Sequence, residues 1–171
     1  MRLNAQTDFS LRFFMYLATK ESGSATIQEM ASRMGLSQSH MMRVTAKLAA
    51  SGLVVSSRGR SGGISLGKEA TDITVEDIVR AIEPDFALVQ CFDPSKEACP
   101  IEPACLLKGV LASAVGAFFA ELRSVSLAQL VQPNKVQLTQ IFRLDSPGAE
   151  KVGNRVRGRS LSGRIAEGGF A

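Results

Sequence analysis

The chain has 171 residues, 45% hydrophobic and 21% charged, with a net charge of +4, which suits a soluble globular protein. Its start, "MRLNAQTDFS", lacks the apolar core of a signal peptide, and the longest uncharged apolar stretch, residues 109–120, is too short for a membrane span of about 20 residues. The expected location is therefore cytoplasmic, with no membrane partner. Charge is uneven along the chain: residues 1–72 carry nine Lys/Arg against five Asp/Glu, residues 73–144 six against eight, and residues 145–171 five against three. A basic N-terminal module attached to a slightly acidic middle points to a polyanion partner.

"TDFSLRFFMYLATKESG" predicts a first helix, with Thr7 as N-cap, Phe9, Phe13, Tyr16 and Leu17 at helical spacing, and Gly23 as the stop. "TIQEMASRMG" predicts a second, with Thr26 and Glu29 as a capping box and Gly35 at its end. "SQSHMMRVTAKLAASG" predicts a third, capped by Ser37 and stopped by Gly52. Only "GLS" separates the second from the third, which is the helix-turn-helix pattern. Two β-prone runs, residues 53–56 and 64–66, then flank "SRGRSGG" as a hairpin with a basic, glycine-rich tip. "TVEDIVRAIE" predicts a fourth helix, with Thr74 and Asp77 as a capping pair and Pro84 as terminator. The order is that of a winged helix.

Residues 84–105 form a loop with four prolines. A long helix follows from near Pro103 to about Ser124, with Leu107, Val110, Leu111, Ala114, Val115, Phe118, Phe119 and Leu122 as a broad apolar stripe. Ala112, Gly116 and Ala120 leave one edge small enough for another helix to approach. That stripe serves either dimerisation or packing onto the chain's own core. From Asp145 the chain is rich in Gly, Ser and Arg without apolar periodicity, which predicts a disordered basic tail over 145–171. The expected fold class is mainly α with a small β-hairpin wing: a winged helix-turn-helix over 1–83, a loop over 84–105, a dimerisation helix and following segment over 103–135, then the tail.

A helix-turn-helix places its second helix in the major groove of double-stranded DNA. Gln38, Ser39, His40, Arg43 and Lys47 are the candidate contacts on that helix. Arg58 and Arg60 on the wing offer charge, while Gly62 and Gly63 allow close backbone approach. His40, the single histidine, is equally readable as a surface or cap residue.

Cys91, Cys99 and Cys105 fall within 15 residues, an odd number that argues against a disulfide framework and suits soft-metal ligation. Zinc prefers four ligands in short pairs such as C-x-x-C, which this chain lacks. An iron–sulfur cluster tolerates irregular spacing and a non-thiolate fourth ligand. A thiol–disulfide switch and incidental thiols stay open on spacing alone.

"MRLNAQTDFSLR", "VVSSRGRSGGISLGK", the three cysteines and "LAQLV" after the long helix together resemble the winged-helix iron–sulfur transcriptional regulators, over about residues 1–135. "SHMMRV", "EPDFALVQC", "IEPACLLK" and "FFAELRSVSLAQLV" look most like the nitric-oxide-sensing repressors of that family; the seven-residue gap after Cys91 looks more like its iron-responsive members. The resemblance implies a homodimeric repressor holding one 4Fe–4S cluster per chain (2Fe–2S is the alternative) through Cys91, Cys99 and Cys105. It also implies a fourth ligand, Asp8 of the partner subunit, steadied by Arg12. Without the family, Asp8 reads as a residue that favours a helix N-terminus through the dipole. Nitric oxide is the implied signal, with release of the DNA operator the response. The alternatives are an iron-availability sensor of the same family and a zinc-stabilised protein-binding winged helix. No nucleophile–base constellation points to an enzyme.

Overall fold

A computed structural model describes residues 3–57, 59, 62–93, 95–97 and 99–142. Seven α-helices and three strands are found among them. Arg58, Arg60 and the tail over 145–171 lie outside the described residues.

Helix α1 spans Ala5–Thr19. Its N-cap is Asn4 rather than Thr7: the Asn4 side chain accepts from the Thr7 amide at 3.0 Å. Thr7 instead sits fully buried in the first turn, where its hydroxyl donates to Glu83 Oε1 at 2.7 Å. Asn4 donates to the same carboxylate from its amide and its side chain, each at 2.8 Å. This carboxylate outcompetes the local cap because it satisfies three donors at once. The helix ends at Thr19, four residues before Gly23. Two further buried hydroxyls donate within the helix, Ser10 to the Gln6 carbonyl and Thr19 to the Met15 carbonyl.

Strand β1 (Ser24–Ala25) leads into α2 (Ile27–Met34) and α3 (Gln38–Ala50). Thr26 caps α2 as expected, accepting from the Glu29 amide. The Glu29 carboxylate does not close a box. It accepts from the Tyr16 hydroxyl and binds Lys20 Nζ at 2.7 and 2.8 Å. Gly35 makes the turn between the helices with φ +66°, a left-handed conformation that side chains disfavour. Ser37 caps α3 by accepting from the His40 amide.

Strands β2 (Val54–Ser57) and β3 (Gly63–Leu66) form the expected hairpin, and β1 adds on the far side to give the antiparallel order β1-β3-β2. Residues 24–25 carry no strand pattern of their own; pairing of Ser24 with Ser65 and Ala25 with Ile64 makes the third strand. Helix α4 (Val75–Ile82) has the full Thr74–Asp77 capping box and stops before Pro84.

Short 3-10 turns at Gln90–Phe92 and Glu102–Ala104 punctuate the following loop, and α5 runs over Leu106–Ser124. Only Phe119 of α5 is buried. Helix α6 (Leu127–Val131) folds back onto α1: Leu127 and Val131 enter the core, and the amides of Leu127 and Ala128 donate to the carbonyls of Ile73 and Ala70. Helix α7 (Lys135–Ile141), without a sequence signal strong enough to predict it, lies against α1. The core is a single cluster built on Phe13, Phe14, Tyr16, Leu17, Met30, Met41, Leu48, Ile73, Ile78, Ile82 and Leu127.

Candidate functional site

On α3, Gln38, Ser39, Arg43 and Lys47 are exposed, while Met41, Val44, Thr45 and Leu48 face the core. Ser39, Arg43 and Lys47 follow one another every four residues and so share one outward stripe. Met42, to which the sequence assigns no role, lies beside that stripe and is 56% exposed. Its neighbour Met41 hides this, since a step of about 100° around the helix buries one methionine and exposes the other. Lys47 Nζ reaches Gln6 Oε1 at 3.4 Å, so the stripe adjoins α1. His40 is half-buried, with its ring edge-on to Phe9 at 5.9 Å. Its Nε2 is buried without a hydrogen-bond partner among the described residues. Of the wing residues, Gly62 and Gly63 are described and half-buried; Gly63 begins β3, and a Cβ there would lie 3.1 Å from the Ala25 carbonyl oxygen.

Asp8 is exposed on the first turn of α1 and paired with Arg12. The Arg12 guanidinium also lies over the Phe9 ring, 5.1 Å from its centroid. Asp8 is therefore held on the outside of its own chain, with Arg12 one turn along.

The three cysteines are free and half-buried. Cys91 and Cys99 line one cavity of about 340 Å³ with Val89, Gln90, Glu97 and Pro100. Cys105 occupies the N-cap position of α5, at the positive end of a 19-residue helix whose first amides lack intrahelical partners. Lys108, one turn into that helix, pairs with Glu102. The hydrogen bond and charge of Glu102 raise its pKa above the ordinary lysine value, and Cys91 and Cys105 add to the effect. Helix terminus and ammonium together give the cysteine loop a positive setting suited to an anionic thiolate set. Sequence reading misses Lys108 because lysine on a helix is usually a solvated residue. Among the described residues, no three His, Cys, Asp or Glu side chains converge to hold a metal ion. The donor chemistry fits a soft metal, and Asp8 is not gathered with the thiols of its own chain.

The start of the loop is tied to the rest of the chain. Glu83, directly before Pro84, holds Asn4 and Thr7 of α1. Phe86 packs edge-on against Phe119 at 4.6 Å, and Arg80 lies over the Phe119 ring at 3.8 Å. Glu76 of α4 accepts from Arg80 and from Arg123 of α5.

A winged helix-turn-helix with an exposed basic reading helix defines a DNA-binding regulator. Residues 3–133 match the Rrf2 family, described as an iron-dependent transcriptional regulator, and the chain belongs to that family. It is 39% identical over 145 residues to the HTH-type transcriptional regulator NsrR of Bacillus subtilis, a match covering 84% of this chain and 99% of that protein. Among solved structures it is similar to T. potens IscR (TM-score 0.61, 25% identity, 78% of this chain and 88% of that one). It is also similar to CymR, the global cysteine regulator of B. subtilis (TM-score 0.58, 26% identity, 78% and 98%). Family membership makes the chain a transcriptional regulator rather than an enzyme. No helix among the described residues is long and apolar enough to cross a membrane.

Proposed function

We propose that the chain is a homodimeric transcriptional repressor that binds double-stranded operator DNA while holding an iron–sulfur cluster, and that nitric oxide releases it from DNA. The observation that carries this reading is the set of three free, half-buried cysteines on one loop between α4 and α5, beside the Lys108 ammonium. Cys91, Cys99 and Cys105 are the thiolate ligands, and Asp8 of the partner subunit is the fourth. The 58% exposure of the Asp8 side chain on its own chain leaves it accessible to a second one. When bound, the cluster supplies iron able to react with nitric oxide. A carboxylate is a harder ligand than thiolate and the weaker holder of such iron, so Asp8 marks its most accessible side. Arg12 orients that carboxylate.

Helix α5 supports the dimer. Leu106, Leu107 and Val110 are 88%, 60% and 63% exposed, so the first turns of its apolar face have no cover within the chain. The stripe on α3, with Gln38, Ser39, Arg43, Lys47 and Met42, faces the major groove; Met42 suits a thymine methyl. Arg58 and Arg60 act from the wing. Two reading helices must fit half-sites about one helical turn apart, so a small shift of α1 against α3 lowers affinity.

A second reading, loss of the cluster when iron is scarce, is favoured by the seven-residue gap after Cys91 and by the iron-dependent description of the family. Titration of anaerobically purified, iron-loaded protein with nitric oxide in a gel-shift assay separates the two. Release of the operator is the expected result. DNA binding that survives nitric oxide but is abolished by an iron chelator selects iron sensing, and a colourless protein with stoichiometric zinc sinks both.

A further inference from the structure

Four carboxylates stand on the cysteine loop: Asp85, Asp93, Glu97 and Glu102. Three are engaged locally. Asp85 accepts from the Ala87 amide at 3.0 Å, and Asp93 accepts from the amide and the hydroxyl of Ser95 at 2.9 and 2.7 Å. Glu102 pairs with Lys108. Among the described residues, neither a cation nor a hydrogen-bond donor meets the Glu97 carboxylate. Glu97 is exposed, and it lines the cavity of about 340 Å³ that Cys91 and Cys99 also line. The loop's one uncommitted carboxylate thus borders the same space as two of the three thiols.

We propose that Glu97 is a second oxygen ligand for the cluster, from the same chain as Cys91, Cys99 and Cys105, and that it exchanges on one iron with Asp8 of the partner subunit. The proposal rests on the cluster reading given above but not on nitric oxide as the signal. In the exchange one iron–oxygen bond breaks and another forms. No electron moves, and both carboxylates stay ionised. The charge of the site is the same in either state, and both donors are of the same hard class, so their chemistry favours neither strongly.

Tethering then decides between them. Glu97 is carried on the loop itself, two residues from Cys99, so its effective concentration at the cavity does not depend on the partner. Asp8 reaches the site only when a second chain presents its α1. Three thiolates and Glu97 make a four-ligand set within one protomer. A chain can therefore keep its cluster while the link to its partner's α1 is open. The N-terminus of α5 and the Lys108 ammonium offset the negative charge of this set as they do that of the other.

The test compares the full, anaerobically iron-loaded chain with Asp8→Ala, Glu97→Gln and the two together, following visible absorbance as an iron chelator removes the metal. Each single variant keeps one oxygen ligand and should lose iron only slightly faster than the native chain, whereas the double variant should lose it on the order of tenfold faster than either, beyond the product of the single effects. Glu97→Cys in the Asp8→Ala background separates ligation from surface charge. A thiolate is the softer donor, so iron should be held more tightly than in Asp8→Ala alone, with a changed visible circular dichroism spectrum. A double variant that loses iron no faster than Asp8→Ala overturns the assignment, and so does an unchanged spectrum on Glu97→Cys. If the native chain carries no iron or sulfide, the cluster reading falls and takes Glu97 with it. If it carries both and the double variant matches Asp8→Ala, only Glu97 falls.

Discussion

Arg123 donates two hydrogen bonds to Glu76, from Nε at 2.6 Å and from Nη2 at 3.0 Å, and so joins the long helix α5 to α4 of the winged-helix unit. Arg80 binds the same carboxylate from one turn along α4, at 2.7 Å. Glu76 is buried, and hydrogen bonds from Arg123 and then Arg80 hold its carboxyl down at about 2. Phe119, the one buried residue of α5, lies under Arg80. This small cluster is the junction between the DNA-reading unit and the helix assigned to dimerisation.

Glu76→Gln removes the charge and is expected to cost about 2 kcal/mol at pH 7, because two guanidinium groups lose their shared partner but can still reach water. The folded value of Glu76 lies below its ordinary 4.5, so the unfolded chain takes up the proton first as pH falls. The contribution is complete above about pH 5 and is lost between roughly pH 4.5 and 2. Urea unfolding at pH 7 and pH 3 checks this: the gap between native and variant should narrow at the lower pH. A gap independent of pH would falsify the assignment.

Phe119→Ala deletes the only buried anchor of α5. A loss of about 3 kcal/mol is expected, within the usual range for a buried phenylalanine. Amide exchange should rise at 119–124 and in the adjacent turn of α4, while α2 and α3 keep their protection. Uniform exchange across all helices would show that α5 is not a separately anchored element.

Glu83→Gln breaks a clasp of three hydrogen bonds to Asn4 and Thr7. Gln can still accept but loses the charge, so a modest cost of about 1 to 2 kcal/mol is expected. The effect should concentrate in the first turn of α1, where backbone amides of residues 5–8 would exchange faster. Unchanged exchange there would mean that the clasp does not hold the helix start.

Lys108→Glu reverses the charge facing Cys91 and Cys105. The iron-loaded protein should lose iron to a chelator several-fold faster, on the order of a tenfold change at most for one partly screened charge. The thermal midpoint of the metal-free protein should stay close to that of the native chain, since Lys108 is on the surface of α5. Equal iron loss would leave Lys108 without a role at the cysteines.

Much of this architecture is legible in the chain because it is written in local signals. Ser37 and the Thr74–Asp77 pair mark helix starts, and Gly35 marks a stop, through contacts between residues a few positions apart. Asn4 shows the limit. Its preference over Thr7 as the cap depends on Glu83, 79 residues away, and no local pattern carries that. β1 likewise exists only through β3. For the reading helix, the exposed positions of Arg43 and Lys47 follow from helical spacing, whereas the outward turn of Met42 does not follow from its composition. The cysteines are conspicuous as a group, but Lys108 gains its place only when Glu102 and the loop fold beside it.

The Glu83 clasp bears on timing as well as on stability. It pins the start of the cysteine loop to the head of α1, the helix that carries Asp8. In a pair of chains in which each Asp8 completes the neighbour's site, every loop is fastened to the helix that serves the opposite site. The two sites then form a closed circuit, and a disturbance at one travels through α1 to the other. Such a circuit responds as a pair: half-reacted dimers would be scarce, and the release of DNA would be steeper in signal than one site alone could make it.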